Sequence, residues 1–550
     1  MRILYKLFFL FLLIPALLSA QQNFPLNRQF ALPLEKTQAS TAKFEPTNYQ
    51  AVDTNVVQYF PVAALEARYY PSCFKPYILS IPVYQHDKSR SLLYRKLKKE
   101  SFLIINDSAS KFYATIDPLM NFEFGKDQAN TYSHSLSVNT RGIIVRGSIG
   151  SKFAFESSVY ENQSFLPKYL DSFARASQVI PGQGRWKDFK NGGFDYAMSS
   201  GYVSYSPSKH FNIQAGTGKH FIGDGYRSLL LSDNAFNYPY IRVTTTFGIF
   251  QYTNLYASFM NLYYYPTHIP TGTEHLYQKK FANFQFLSIN LHPRVQLGIF
   301  QALICQGADS TNRQHLDAYY YNPVIGISAA HYGFNDPNHI LMGATVKIKV
   351  CSFFSLYGQY MIDDLGTDLN STHNRQGFQA GAKLFDLFKI KNLHAQAEYN
   401  QVRPYAYSSA NPLQNYSHYN QPLADPLGAN FKETILILNY KLKGFFVELK
   451  LNYALIGADS SGQNFGHNVF ASNLALYQNY QPDGIYMLQG LKSTLAIYDL
   501  KIGYLVNPAY NLNIVAGVMM RDYKNVATND KTNYIYFGLR TSLSNNYTDF

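Results

Sequence analysis

The stretch "GKHFIGDGYRSLLLSDNAFNYPYIRVTT", positions 218–245, packs Lys219, His220, Asp224, Arg227, Asp233, Asn234 and Arg242 around a leucine triplet. His220 and Asp224 have the types of a general base and the carboxylate that orients it. A hydrolase would also need a nucleophile, and no G-x-S-x-G elbow accompanies them. Gly218-Lys219 is half of a phosphate loop, but position 213 is Ile where that loop needs Gly, and His220 stands where it needs Ser or Thr. Cys73, Cys305 and Cys351 are far apart, and no His–carboxylate spacing suggests a metal. No cofactor and no metal are therefore expected. What remains is a concentration of amide, charged and aromatic groups such as a sugar-contacting surface would need. Structurally, Ser228–Ser232 is expected as a short strand. Asp233-Asn234 suits a corner, because both side chains bond neighbouring backbone amides.

A second polar set lies in "RGIIVRGSIGSKFAFESSVYENQ", positions 141–163. If Gly150, Ser151 and Lys152 make the turn, Ile149 pairs with Phe153 and Gly147 with Phe155. Arg146 then faces Glu156 on the side opposite Ile149. Arg146, Glu156, Tyr160 and Asn162 would form one polar interior surface.

These groups need a container, and the composition indicates which. The first twenty residues, "MRILYKLFFLFLLIPALLSA", have the charged, apolar and small-residue order of a secretory signal, too short in its apolar part for a span. Beyond them no run of about twenty apolar residues occurs. Charged residues are only 15% of the 550, and aromatics are 16%, with 47 Tyr, 41 Phe and one Trp. An exported, aromatic-rich, charge-poor chain without spanning helices predicts an antiparallel outer-membrane β-barrel. The formal net charge of +13 fits turns, lumen and acidic headgroups or polysaccharide, and nucleic acid is no partner for such a barrel.

Period-2 alternation supports the barrel. Leu436, Leu438, Tyr440 and Leu442 share a face, Lys443-Gly444 turns the chain, and Val447, Leu449, Leu451, Tyr453 and Leu455 return opposite Glu448, Lys450 and Asn452. Tyr498, Leu500, Ile502 and Tyr504 alternate likewise with Asp499, Lys501 and Gly503. Segments of this kind predict roughly sixteen to eighteen strands. The last would carry Ile535, Phe537, Leu539 and Leu543 on one face and be followed by a terminal aromatic, Phe550. The expected organisation is a signal at 1–20, a periplasmic or plug segment at 21–105, and the barrel at 106–550. Within 21–105, Leu92, Leu93 and Leu97 would line one side of a short basic helix, suited to an anionic membrane surface or to packing at the barrel mouth.

The run 179–245, with "FYATIDPLMNFEFG" (112–125) and "RGIIVRGSIGSKFAFESSVYENQSFLPKY" (141–169), resembles the capsule-assembly Wzi family of outer-membrane barrels. Within that family it is similar to RemB-like gliding-motility proteins. Phe221-Ile222 stands where Wzi-type sequences often carry Trp, which favours the gliding branch. The resemblance implies a cell-surface barrel serving gliding or adhesion, with outer-membrane lipid, surface polysaccharide and gliding or envelope proteins as partners. Capsule anchoring by a surface lectin, a porin-like sugar transporter and a barrel hydrolase are the alternatives.

Overall fold

The computed structural model describes residues 21–23, 36, 76–78 and, from 90 on, all but 108, 133, 151, 209, 263–276, 308–317, 333–337, 365–372, 461 and 474–483. The expected signal at 1–20 and most of 21–89 lie outside the described residues.

Eighteen long antiparallel strands close into one barrel. They are β1 (Phe112–Asp127), β2 (Leu136–Ile149), β3 (Phe153–Phe165), β4 (Gly193–Ser208), β5 (Phe211–Gly218) and β6 (Tyr238–Phe247). Next come β7 (Phe250–Asn261), β8 (Gln278–His292), β9 (Val295–Gln306), β10 (His339–Cys351), β11 (Phe354–Asp364) and β12 (Arg375–Leu384). The last six are β13 (Leu393–Val402), β14 (Phe431–Leu442), β15 (Phe445–Ala458), β16 (Leu491–Asn507), β17 (Leu512–Lys524) and β18 (Asn529–Arg540). Connections at one end are mostly tight turns, such as Lys443-Gly444, while those at the other are mostly long. In outer-membrane barrels short turns are periplasmic and long loops external.

The alternation explains the strands. Leu436, Leu438 and Leu442 are exposed on the outside of β14, while Glu433, Ile435 and Ile437 are buried within. Tyr498, Leu500, Ile502 and Tyr504 form the outer face of β16. In the β2–β3 hairpin the expected register holds: Ile149 pairs with Phe153, Gly147 with Phe155 and Arg146 with Glu156.

The seam is divided. β18 pairs with the upper part of β1, from Tyr534↔Asp127 to Arg540↔Asn121. The start of β1 pairs instead with a short strand, Leu103–Asp107. Thr541 marks the fork, its hydroxyl accepting from Met120 N at 2.8 Å and its amide donating to Met120 O at 2.9 Å. The last strand therefore ends at Arg540, short of Leu543, which the alternation predicts on its face. Residues 542–550 turn into the lumen, where Leu543 packs against the Leu119, Ile144, Tyr160 and Met198 cluster. The stretch Ser542 to Asn546, with Leu543 its one apolar residue, supplies no alternating apolar face to continue the ladder.

The lumen is filled by three segments: the β5–β6 connection (219–237), the β13–β14 connection (403–430) and the tail 542–550. Leu229, Leu230 and Leu231 are completely buried with Tyr407, Tyr416, Leu423 and wall residues Phe259, Phe284, Phe300 and Leu495. Wall and contents thus form one hydrophobic core, each buried leucine contributing about 1.5–3 kcal/mol. Ser228–Ser232 is no strand, contrary to expectation. Its only ladder contact is the single bridge Ile222–Leu231, and its amides turn to side chains, as Leu229 N donates to Gln359 Oε1 at 2.8 Å.

Two helices frame the ends. Helix α1 (Leu92–Lys98) lies at the short-turn end, its Lys96 carbonyl taken by Asn507 and Tyr510. Helix α2 (Lys168–Ser177) follows β3 at the long-loop end.

Candidate functional site: the lumen plug and the outer rim

Arg227 lies at the centre of the plug, with no solvent exposure. Its guanidinium meets Glu433 of β14 (Nη2–Oε1 3.0 Å) and Asp549 of the tail (Nη1–Oδ1 3.0 Å), and Nη2 donates to Asp549 O at 2.8 Å. Asp425, from the second inward segment, approaches Nε at 3.8 Å. Tyr226 and Tyr547 lie under the cation at 5.0 and 5.5 Å. A buried charge persists only when paired and hydrogen-bonded, and here three chain segments supply the partners.

The glycines of "GDGYR" permit this geometry. Glu398 of β13 accepts from Tyr226 N at 2.6 Å and Arg227 N at 2.9 Å. A side chain at Gly225 would put its first carbon 2.5 Å from Glu398 Oε2. Gly223 has φ +144° and presses on the Gln359 amide, a conformation and a contact closed to other residues.

Burial favours a neutral Asp549, but Arg227 and then Lys450 outweigh it and hold the carboxyl well below the usual carboxylate range. Asp425 differs. Burial and the charge of Glu433 push its carboxyl well above that range despite Arg227. Its Oδ1 accepts from Leu427 N at 3.0 Å, whereas Oδ2 has no hydrogen-bond partner among the described residues.

The other sequence-expected residues are distributed around this centre. Asp233 accepts from Tyr547 OH at 2.7 Å and Asn545 Nδ2 at 3.1 Å, fixing the tail from the opposite side. Asn234 donates to Pro422 O at 3.2 Å, and Lys219 to Gly182 O at 2.6 Å. His220 meets the Tyr238 hydroxyl at 3.2 Å and sits edge-on to Tyr240. Burial, with Arg242 nearby, lowers its pKa well below the ordinary histidine value. Asp224 faces Lys347 at 2.6 Å, so His220 and Asp224 are engaged by different partners. Arg242 is buried in β6, in register with Leu255 and Gln214. Arg146 and Glu156 pair at 2.8 Å on the lumen side, distant in sequence from the plug. Asn162 accepts from Thr140 Oγ1 at 2.7 Å and lines a cavity of about 400 Å³ between the tail and the wall.

Sequence reasoning did not single out Glu398, Glu433, Asp425, Asp549 or Tyr547. The pattern of β14 does carry a signal for Glu433, which stands in phase with the inward Ile435 and Ile437.

The model of the capsule assembly protein Wzi family matches residues 105–533. The chain belongs to the Wzi family. The match fixes the family and not a branch within it. No curated protein matches the chain. Among solved structures it is similar to Wzi of Escherichia coli, described as an outer-membrane carbohydrate-binding β-barrel involved in group 1 capsule assembly. The identity is 13%, with 78% of this chain and 85% of that one covered and a TM-score of 0.48. It is also similar to OprD of Pseudomonas aeruginosa (11% identity, 81% and 96% covered, TM-score 0.40). OccAB2 of Acinetobacter baumannii gives 14% identity, 78% and 98% covered, and a TM-score of 0.41.

This Wzi-family outer-membrane barrel presents a second set of groups at its outer rim, beyond the plug. The side chain of Trp186, the chain's one tryptophan, is held by a hydrogen bond from Nε1 to Ala174 O at 2.9 Å. Its ring lies edge-on to Phe194, with the exposed Arg175 stacked over both at 5.6 and 4.9 Å. Beside it His134, Phe165 and Phe189 form a row, ending in Lys190 above Phe189 at 5.1 Å. Phe194 is itself fully buried and Arg175 also pairs with Asp171 at 2.9 Å, so the half-buried Trp186 and Phe189 and the exposed Arg175 and Lys190 are what this rim presents.

Proposed function

We propose that this protein is a non-enzymatic member of the Wzi family that holds surface polysaccharide at its outer rim during capsule assembly. The observation that carries this reading is the filled lumen. Arg227, the leucine triplet and the tail occupy the space a polymer or sugar would need to pass, which disfavours a porin-like transporter. The groups expected from the sequence as ligand contacts, Arg227, Asp233, Asn234 and His220 among them, are buried and engaged with protein partners, so they act here as the structure beneath the contact surface. The rim around Trp186, Arg175 and Lys190 supplies that surface, with rings for sugar faces and cations for acidic groups. His220 and Asp224 have separate partners, which argues against a hydrolase.

The RemB-like gliding role follows from the same contact if the held polymer is what the moving cell grips. A deletion strain scored for polysaccharide retention and for gliding separates the two. A shed coat supports anchoring, with lost gliding secondary to it. Lost gliding over a normal coat would overturn anchoring in favour of a motility role. Purified barrel should also retain the producing strain's polysaccharide, and Trp186→Ala with Arg175→Ala should weaken that retention about tenfold.

A further inference from the structure

Helix α1 and the short strand after it carry an apolar face that the capsule reading does not use. Leu92, Leu93 and Leu97 are 63%, 70% and 46% exposed, and Phe102 and Leu103 continue the face at 63% and 46%. Around it, between positions 90 and 100, stand five basic residues (Arg90, Arg95, Lys96, Lys98, Lys99) against one acidic residue, Glu100. Arg95 and Lys96 turn inward to the buried Glu100 at 3.6 and 3.2 Å.

The helix cannot swing away to hide these leucines. Asn507 Nδ2 donates to Lys96 O at 2.7 Å and to Glu100 O at 3.0 Å, and Tyr510 OH donates to Lys96 O at 3.2 Å. Phe102 N donates to Asp117 Oδ1 at 2.8 Å on β1. These bonds fix α1 beside the foot of β16, where Lys98 Nζ lies 5.7 Å over Tyr504. Tyr504 meets Phe445 edge-on, and both belong to the lipid-facing exterior, as do Leu442 and Ile502. The apolar face of α1 is thus continuous with the barrel's membrane belt at its short-turn, periplasmic edge.

We propose that α1 and the Phe102–Leu103 stretch lie in the headgroup region of the periplasmic leaflet, their leucines inserted among acyl chains and their lysines on anionic phospholipid. Phospholipid, not a protein partner, is the occupant because the face continues an existing lipid contact and its flanks are basic. An amphipathic helix of this kind buries its apolar side about 5–10 Å into the boundary region, and anionic lipid strengthens its hold. The inference rests on the outer-membrane placement and is independent of any polysaccharide contact.

The test is Leu93→Trp in the full chain, reconstituted into vesicles containing phospholipid brominated near the headgroup. The parent, whose Trp186 is at the opposite rim, supplies the blank. Shallow bromines should cut the added emission roughly twofold, with a blue shift, as the depth given for such helices requires. Water-like emission indifferent to the bromines would overturn the insertion. In vesicles of purely zwitterionic lipid, or with Lys98→Gln and Lys99→Gln, the quenching should fall; quenching unchanged by both would overturn the assignment to anionic headgroups.

Discussion

Arg227 and Asp549 meet at 3.0 Å in the sealed interior of the barrel, although 322 residues of chain separate them. The contact ties the first inward segment to the tail, and Glu433 ties both to the wall. Removing one member of such a pair leaves a buried charge, at a cost of about 3–5 kcal/mol. Asp549→Asn should therefore destabilise the barrel by about 3 kcal/mol, Glu433 still holding part of the Arg227 charge. The temperature at which the folded form is lost on semi-native gels checks this, and a wild-type value would contradict it.

Asp425→Asn should behave differently. Burial and the charge of Glu433 push its carboxyl well above the usual carboxylate range, so the site disfavours a charge there. The amide keeps the Oδ1 contact to Leu427 N and carries no charge into that site. A stability within about 1 kcal/mol of the parent is expected on the same gels.

Acid should release the tail only at low pH. A carboxyl whose folded pKa is lowered adds stability that is complete above the ordinary aspartate value of about 3.9 and is lost as pH falls toward the folded value. Asp549 is such a group. Amide exchange of residues 542–550, corrected for the intrinsic rate, should be flat from neutrality to about pH 5 and rise below about pH 4. Release near neutral pH would show that the ion pair does not hold the tail.

The purified chain should be electrically silent in planar bilayers. Replacing 220–236 and 404–429 together by short Gly-Ser links removes the leucine triplet and its tyrosines from the lumen, and should produce steady conductance steps. Steps of that size in the unmodified chain would restore the transporter reading.

Arg146 and Glu156 should matter little. Each side chain is 20% exposed, and directly opposed charges contribute about 0.2–1 kcal/mol. A double-mutant cycle with Arg146→Met and Glu156→Gln should give a coupling in that range.

The wall was legible in the sequence and its contents were not. Arg146 opposite Glu156 followed from one turn and a period of two, because neighbouring strands are joined by a few residues whose length sets register. Lys443-Gly444 gave the β14–β15 hairpin in the same way. The leucine triplet misled, since three consecutive apolar residues between serines also describe a strand. What keeps 228–232 out of the ladder is the side chains of Gln359, Tyr407 and Tyr416, which satisfy its backbone from far along the chain. The tail misled for a related reason. Asn545, Tyr547 and Asp549 acquire meaning only beside Asp233 and Arg227, and no local spacing records such a meeting.

The fork at Thr541 has a consequence for how the molecule is made. Residues 542–550, which follow β18, lie inside the wall that β18 closes, so the closing strand and this part of the cargo are neighbours in sequence. Contacts across hundreds of residues form slowly, because the loop must be closed before the contact can reward it. If the seam zipped first, the tail would still have to reach Arg227 from the periplasmic opening. Packing the contents and sealing the vessel are therefore expected as one late step, with Thr541 as the stitch that ends both.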